Sequence, residues 1–242
     1  MRYGLLSDIH GNLEALLEVL REFQNRSVDQ LLCLGDVVGY GADPNACADL
    51  VRERCRSTVL GNHDAAAAGL IEPEDFNRFA REAVLWTAGV LTPQNRSFLR
   101  SLPHTMEFKD FVVVHASLSQ AAEWHYILDR EGAEECFQVL KTTVCFHGHS
   151  HVPAVFVQHE QGDIYLHREP LLKLEPAHRY LVNAGSVGQP RDGDPRACAV
   201  IYDDAAGTVE FLRIGYDIKA AQDKILKAGL PPYLAERLGQ GR

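Results

Sequence analysis

Tyr3-Gly4-Leu5-Leu6-Ser7-Asp8-Ile9-His10 decides the fold. A short apolar run of strand type ends at Leu6, and a carboxylate and an imidazole follow at once. The arrangement recurs along the chain. LLCL (31–34) precedes Gly35-Asp36, and STVL (57–60) precedes Gly61-Asn62-His63-Asp64. FVVV (111–114) precedes His115, and TTVCF (142–146) leads to Gly148-His149-Ser150-His151. A side chain just past the carboxyl end of a strand points into the crevice where open α/β sheets carry their sites. The pattern therefore delivers Asp8, Asp36 and Asn62, with His10, His115, His149 and His151, to one rim.

These residue types belong together chemically. Carboxylate and carboxamide oxygens with neutral imidazoles suit borderline first-row ions, and no thiolate sits in any of the five blocks. Two ions roughly 3.5–4 Å apart can share one carboxylate and acidify a shared water. Asp36, central in the set, fits the shared position. Its donors are those of a dinuclear site for hydrolysing phosphate esters.

Outward from these blocks, residues 1–64 read as strand, helix, strand, helix, strand, a doubly wound start. Leu13, Leu16, Leu17 and Leu20 give the first helix one apolar face. Pro44 opens the second helix, with Asp43 placed to cap it. Residues 65–105 read as a helical insertion, with Phe76, Phe79, Ala80, Ala83, Val84 and the run from Trp86 to Val90 as its buried stripe. Leaving the sheet just after Asp64, it reads either as one wall of the cleft or, with Phe76 and Trp86, as core alone. From 152 to 214 short strands dominate, and helices close the chain from about 217. The whole of 1–242 reads as a single domain.

Composition narrows the function class. A hydrophobic content of 46% with 24% charged residues is ordinary for a globular chain. No apolar run approaches the ~20 residues of a membrane span. A formal net charge of −9 argues against extended nucleic acid as a partner, whereas a small phosphate ester remains compatible because divalent ions reverse the sign locally. Six cysteines without a C-x-x-C pair read as free thiols of a reducing compartment. A cleaved leader would remove Asp8 and His10, so a cytoplasmic location is expected.

Taken in order, the blocks resemble the D-x-H, G-D, G-N-H-D/E, H, G-H-x-H pattern of the calcineurin-like metallophosphoesterases. Asn183-Ala184-Gly185-Ser186-Val187-Gly188-Gln189-Pro190-Arg191 is similar to the small prokaryotic phosphodiesterase branch. The resemblance implies a four-layer α/β/β/α sandwich of two mixed sheets. It implies that Asp8, His10 and His151 hold one metal, that Asn62, His115 and His149 hold the other, and that Asp36 bridges them. It further implies a catalytic His63 that serves the leaving group. Asp64, its neighbour, is read as orienting it. The implied activity is hydrolysis of small phosphate esters, diesters foremost, by attack of a metal-bridging hydroxide. Two divalent ions per chain are implied, Mn first and Fe, Zn, Co or Ni as alternatives.

One departure bears on substrate. Protein phosphatases of this superfamily carry an arginine after G-D, in G-D-x-x-D-R-G. Here Gly35-Asp36-Val37-Val38-Gly39-Tyr40-Gly41 has none, which weakens that reading. Arg191 is the candidate substitute for clamping phosphate, with a solvated loop arginine as the alternative. Tyr126, in the aromatic cluster after His115, reads either as a substrate contact or as a loop anchor. A dinucleoside polyphosphate hydrolase and a non-enzymatic interaction scaffold are the competing functions, the latter disfavoured because no ligand position is lost. His104, His125, His159, His167 and His178 read as surface or hydrogen-bonded core residues. His147 lies outside the pattern, and its role stays open.

Overall fold

The computed structural model describes residues 1–242. In chain order the first half holds β1 (Arg2–Leu6), α1 (Leu13–Asn25), β2 (Gln30–Cys33), α2 (Pro44–Arg54), β3 (Ser57–Thr58), α3 (Asn62–Ala68), α4 (Arg78–Val90) and α5 (Pro93–Arg100). Next come β4 (Thr105–Glu107), β5 (Phe111–Val114), α6 (Arg130–Val139), β6 (Val144–His147), β7 (Ala154–Gln158) and β8 (Ile164–His167). The chain ends with β9 (Leu171–Lys173), β10 (Arg179–Asn183), β11 (Ala197–Asp203), β12 (Thr208–Ile214), α7 (Ile218–Lys227) and α8 (Pro232–Leu238).

Two six-stranded mixed sheets result, ordered β3-β2-β1-β11-β12-β9 and β4-β5-β6-β10-β7-β8. In the first, β1, β2 and β3 run parallel, and the remaining pairings are antiparallel. In the second, β5, β6 and β10 form the parallel centre.

Period-2 alternation builds the layers. Leu5, Leu32 and Val200 point to the same core as Val113, Phe146, Tyr180 and Val182 of the other sheet. Their neighbours face outward. Leu6, Cys33 and Ala199 join α1 and α2 in a second core, while Val112, Val114, Cys145 and Leu181 join α6 in a third. The expected α/β/β/α sandwich is what forms.

Local details differ from expectation where packing decides them. In α1 the buried stripe is Ala15, Leu16, Val19 and Phe23, and Leu17 is 48% exposed. Against the sheet, the helix is rotated so that Leu17 falls off the contact stripe. Phe76 precedes α4, because the Asn77 side chain accepts from the Phe79 and Ala80 amides and starts the helix at Arg78. Val90 is exposed rather than part of its buried stripe. Asp43 stands at the N-terminus of α2 but makes no capping bond. Its carboxylate lies 2.7 Å from Lys224 of α7, which also meets Glu14 of α1 at 2.5 Å. That triad ties the C-terminal helices to the first sheet's helical layer. No helix is long and apolar enough to cross a membrane.

Candidate metal centre

All five blocks lie at carboxyl ends of parallel strands: β1, β2 and β3 of one sheet, β5 and β6 of the other. Ligand-type atoms converge there in three overlapping groups: Asp8, His10 and His151; His10, Asp36 and His63; and Asp36, His115 and His149. Asp36 Oδ2 lies 3.3 Å from His115 Nε2 and 3.6 Å from His10 Nε2. It thus stands between the two halves of the set. Asp8 Oδ1 is 3.2 Å from His151 Nε2.

The imidazoles are oriented from behind. Val38 and Leu34 carbonyls face Nδ1 of His10 and His115 at 3.2 and 2.8 Å, and the Gln189 carbonyl faces Nδ1 of His151 at 2.6 Å. A carbonyl only accepts, so Nδ1 carries a proton in each ring and Nε2 is the atom that faces the group. That is the arrangement metal-binding histidines need. Asp8 Oδ1, the Asn62 side-chain oxygen and His115 Nε2 are buried without any hydrogen-bond partner. Such orphans are costly unless something fills the space between them, and a divalent ion matches this donor chemistry.

Backbone strain collects at the same residues. Asp8, His10, Asp36, His149 and His151 have φ between +50° and +68°, a region that residues with a Cβ rarely adopt. Strain concentrated on five proposed ligands is what a functional site shows. Gly148 leaves room for this geometry: a Cβ on it would collide with Ser7 and the Asp8 carboxylate.

Burial sets the electrostatics. It pushes His149 down to about 3 and His63 down to about 4, and it drives His10 and His151 down too. For His115 burial works the same way, but the Asp36 charge beside it prevails and holds the imidazole at about 9. Burial alone would raise the two carboxyls. His151 beside Asp8 and His115 beside Asp36 outweigh it and keep both well below the usual carboxylate range.

The other expected residues sit as follows. The His63 ring packs between Tyr40, at 4.6 Å, and Phe76, at 4.8 Å. Asp64 does not reach that ring. Its carboxylate accepts from the Val38 and Gly61 amides at 3.0 and 3.4 Å, because the first turn of α3 points it back at the β2 loop. The expectation that Asp64 orients His63 is corrected on this geometry: it anchors backbone instead. Arg191 Nη2 donates to Gln189 at 2.9 Å and to the Tyr40 hydroxyl at 3.4 Å. Tyr126 stacks on His149 at 3.9 Å, 22° from parallel. His147 is buried, 3.3 Å from the Asn183 amide, and joins none of the three groups. His159 and His178 hydrogen-bond each other at 2.9 Å, away from this centre.

Sequence reasoning passed over Tyr40 and Asn183. Tyr40 touches both His10 and His63, and its only signal was its place just after Gly35-Asp36. Asn183 donates to the Gly148 carbonyl at 2.6 Å and to Ser150 at 3.0 Å, which pins the turn carrying His149 and His151. The loop beyond it grips β1's ligand loop, since the Ser186 hydroxyl and Gly188 amide both donate to the Asp8 carbonyl.

The chain belongs to the calcineurin-like phosphoesterase superfamily, whose domain profile matches residues 1–205. It is accordingly a metal-dependent phosphoric ester hydrolase. It is 41% identical over 243 residues to an uncharacterized protein of Methanocaldococcus jannaschii, covering 99% of this chain and 98% of that one. The crystal structure of a metallophosphoesterase from Sphaerobacter thermophilus superposes with a TM-score of 0.88 at 38% identity, over 100% of this chain and 99% of that one. A hypothetical protein from Pyrococcus horikoshii shares the fold, with a TM-score of 0.81 at 18% identity over 100% and 98% of the two chains.

Proposed function

We propose that the chain is a dinuclear-metal-dependent phosphoesterase, chiefly a phosphodiesterase, that acts on small phosphate esters in the cytoplasm. The observation behind this reading is the overlap of three donor groups, two of which share Asp36. Asp8, His10 and His151 would hold one ion, Asn62, His115 and His149 the other, and Asp36 both. Mn is the foremost occupant, and Fe, Zn, Co or Ni fit the same oxygen and imidazole donors. Bound there, the ions supply an acidified water as nucleophile and neutralise charge on the phosphoryl oxygens.

The chain's own residues do the rest. Carbonyls behind His10, His115 and His151 hold the imidazoles in the ligating tautomer. Tyr40 and Phe76 fix the His63 ring, which serves the leaving oxygen. A phosphate anion arriving beside His63 favours its protonated form, which offsets the depression caused by burial. Arg191 has only the neutral partners Gln189 and Tyr40, so its charge is available to a phosphoryl group. Tyr126, on the face of His149, is the second substrate contact.

Six free cysteines support the cytoplasmic placement. A buried cluster joining Tyr40 with α4, α7 and α8 supports reading 1–242 as one domain. The test is Mn reconstitution with bis(p-nitrophenyl) phosphate as substrate. Close to two ions per chain and metal-dependent turnover are expected. A folded sample that saturates at one ion, or turns over no diester, overturns the reading.

A further inference from the structure

Above the donor groups lies a cavity of about 610 Å³, a size suited to a small organic group. His63 and His149 both line it, so it is where the departing half of a substrate would lie. His63 is 5% exposed, and its Nδ1 is buried without a partner on the Gly39 side of the ring.

Aromatic rings form the walls. Phe76 packs on the His63 ring and Tyr126 on His149. Trp124 is held by its indole N–H, which donates to the Leu60 carbonyl at 3.3 Å. The rim carries Glu72, Asp75 and Glu123, and neither lysine nor arginine lines the cavity. None of the three carboxylates is in a salt bridge.

The cleft is therefore polarised. Arg191 bonds the wall residue Tyr40 but does not itself line the cavity, whose outer end combines negative charge with π-faces. A departing phosphate would be repelled from that end, and a neutral alkyl group would use none of the carboxylates. An organic cation is attracted by both features at once, because ring faces and carboxylates each carry negative potential toward it.

We infer that this compartment selects phosphodiesters whose departing alcohol carries an alkylammonium group. The inference rests on the phosphoesterase reading above. Water adds to phosphorus, the P–O bond to the amino alcohol breaks, and that alcohol leaves with the proton. No redox partner is needed.

The experiment uses the full chain loaded with Mn and methyl phosphodiesters of three alcohols: choline, its uncharged isostere 3,3-dimethylbutanol, and adenosine. Release is followed by phosphorus NMR. The measured quantity is the choline-to-isostere ratio of kcat/KM, compared between wild type and the triple variant E72Q/D75N/E123Q. Intrinsic leaving-group differences cancel in that comparison. The ratio is expected to fall by about tenfold to a hundredfold in the variant, and to shrink in wild type as salt rises. An unchanged ratio overturns the inference. So does an adenosine diester that is the best substrate and is indifferent to the triple change, since the compartment would then be a base site. If wild type turns over choline and isostere diesters without distinction, this inference falls and the phosphoesterase reading stands. If wild type fails on bis(p-nitrophenyl) phosphate as well, both fall.

Discussion

Gly35→Ala tests how tightly the backbone holds the proposed ligands. Gly35 precedes Asp36 and has a φ of +94°. A methyl there would lie 2.8 Å from the Gly61 nitrogen and 2.9 Å from His115 Nδ1. Neither neighbour can retreat easily. Gly61 leads directly into Asn62 and His63, and His115 Nδ1 is the atom bonded to the Leu34 carbonyl at 2.8 Å. A left-handed residue with a Cβ costs about 1–2 kcal/mol, overpacking about 1–3 kcal/mol, and a lost buried hydrogen bond about 1 kcal/mol. Because these share atoms, they do not simply add, and roughly 3–4 kcal/mol is the expected loss. That is a large part of a typical stability of about 5–15 kcal/mol. Losing the bond that orients His115 should also weaken Mn binding by about 10–100-fold. Urea unfolding of metal-free protein and competition titration with Mn measure the two effects. Gly69→Ala is the control: its φ is +73°, but the nearest atom to an added methyl is the Arg100 side-chain tip at 3.3 Å. It should cost about 1 kcal/mol and leave Mn affinity alone. If Gly35→Ala unfolds like the control and binds Mn like wild type, the reasoning fails.

Three further outcomes are expected. Asp36→Asn removes the charge shared by two donor groups and should lower both Mn occupancy and rate, while His115→Ala strips mainly one ion; full activity of Asp36→Asn in limiting Mn would refute the bridge. His63→Ala should keep two ions but lose about 10²–10⁴-fold in rate on alkyl or nucleotide diesters, and much less on nitrophenyl esters, whose leaving group needs no proton; an equal loss for all leaving groups would remove its acid role. The third outcome concerns pH. Burial disfavours the charged His115, but Asp36 outweighs it and raises the imidazole from 6.5 to about 9. A raised folded value stabilises fully below the unfolded one, so metal-free protein should lose roughly 3 kcal/mol between pH 6.5 and 9, and His115→Gln should lack that slope in urea titrations across the range.

The convergence of the Asp and His residues on one rim was legible because their chemistry is local. A strand run followed at once by Asp, Asn or His needs only period 2 and a strand end to place the side chain. Other features depend on partners distant in sequence. Asp43 looks like a helix cap until Lys224 arrives from α7 at 2.7 Å. Asp64 looks like a partner for His63 until the turn of α3 aims it at Val38. Leu17 fits an apolar face by spacing, yet the rotation of α1 against its sheet leaves it outside. Tyr40 carries no motif at all, and only the closure of the β2 loop over His10 and His63 gives it a role.

The strain on the ligands and the bonding of their loops explain each other. Five proposed ligand residues with positive φ cost about 1–3 kcal/mol apiece and would relax if their loops were free. They are not free, because the sheets' hydrogen bonding continues past the strand ends. The Asp8 amide donates to Gly35, His10 to Asp36 and Gly11 to Val37, all at 3.0 Å. The Gly148 amide donates to the His115 carbonyl and Gly188 to Asp8, each at 2.9 Å. Each ligand loop is thus held by a neighbouring ligand loop, and the Asn183–Arg191 stretch closes the ring. Under this arrangement little metal-binding energy is needed to order the loops. More of it can appear as affinity, since a preformed site has little ordering entropy left to lose. The same arrangement makes the site intolerant of an added methyl such as that of Gly35→Ala, because one loop cannot shift without moving the ligands on the next.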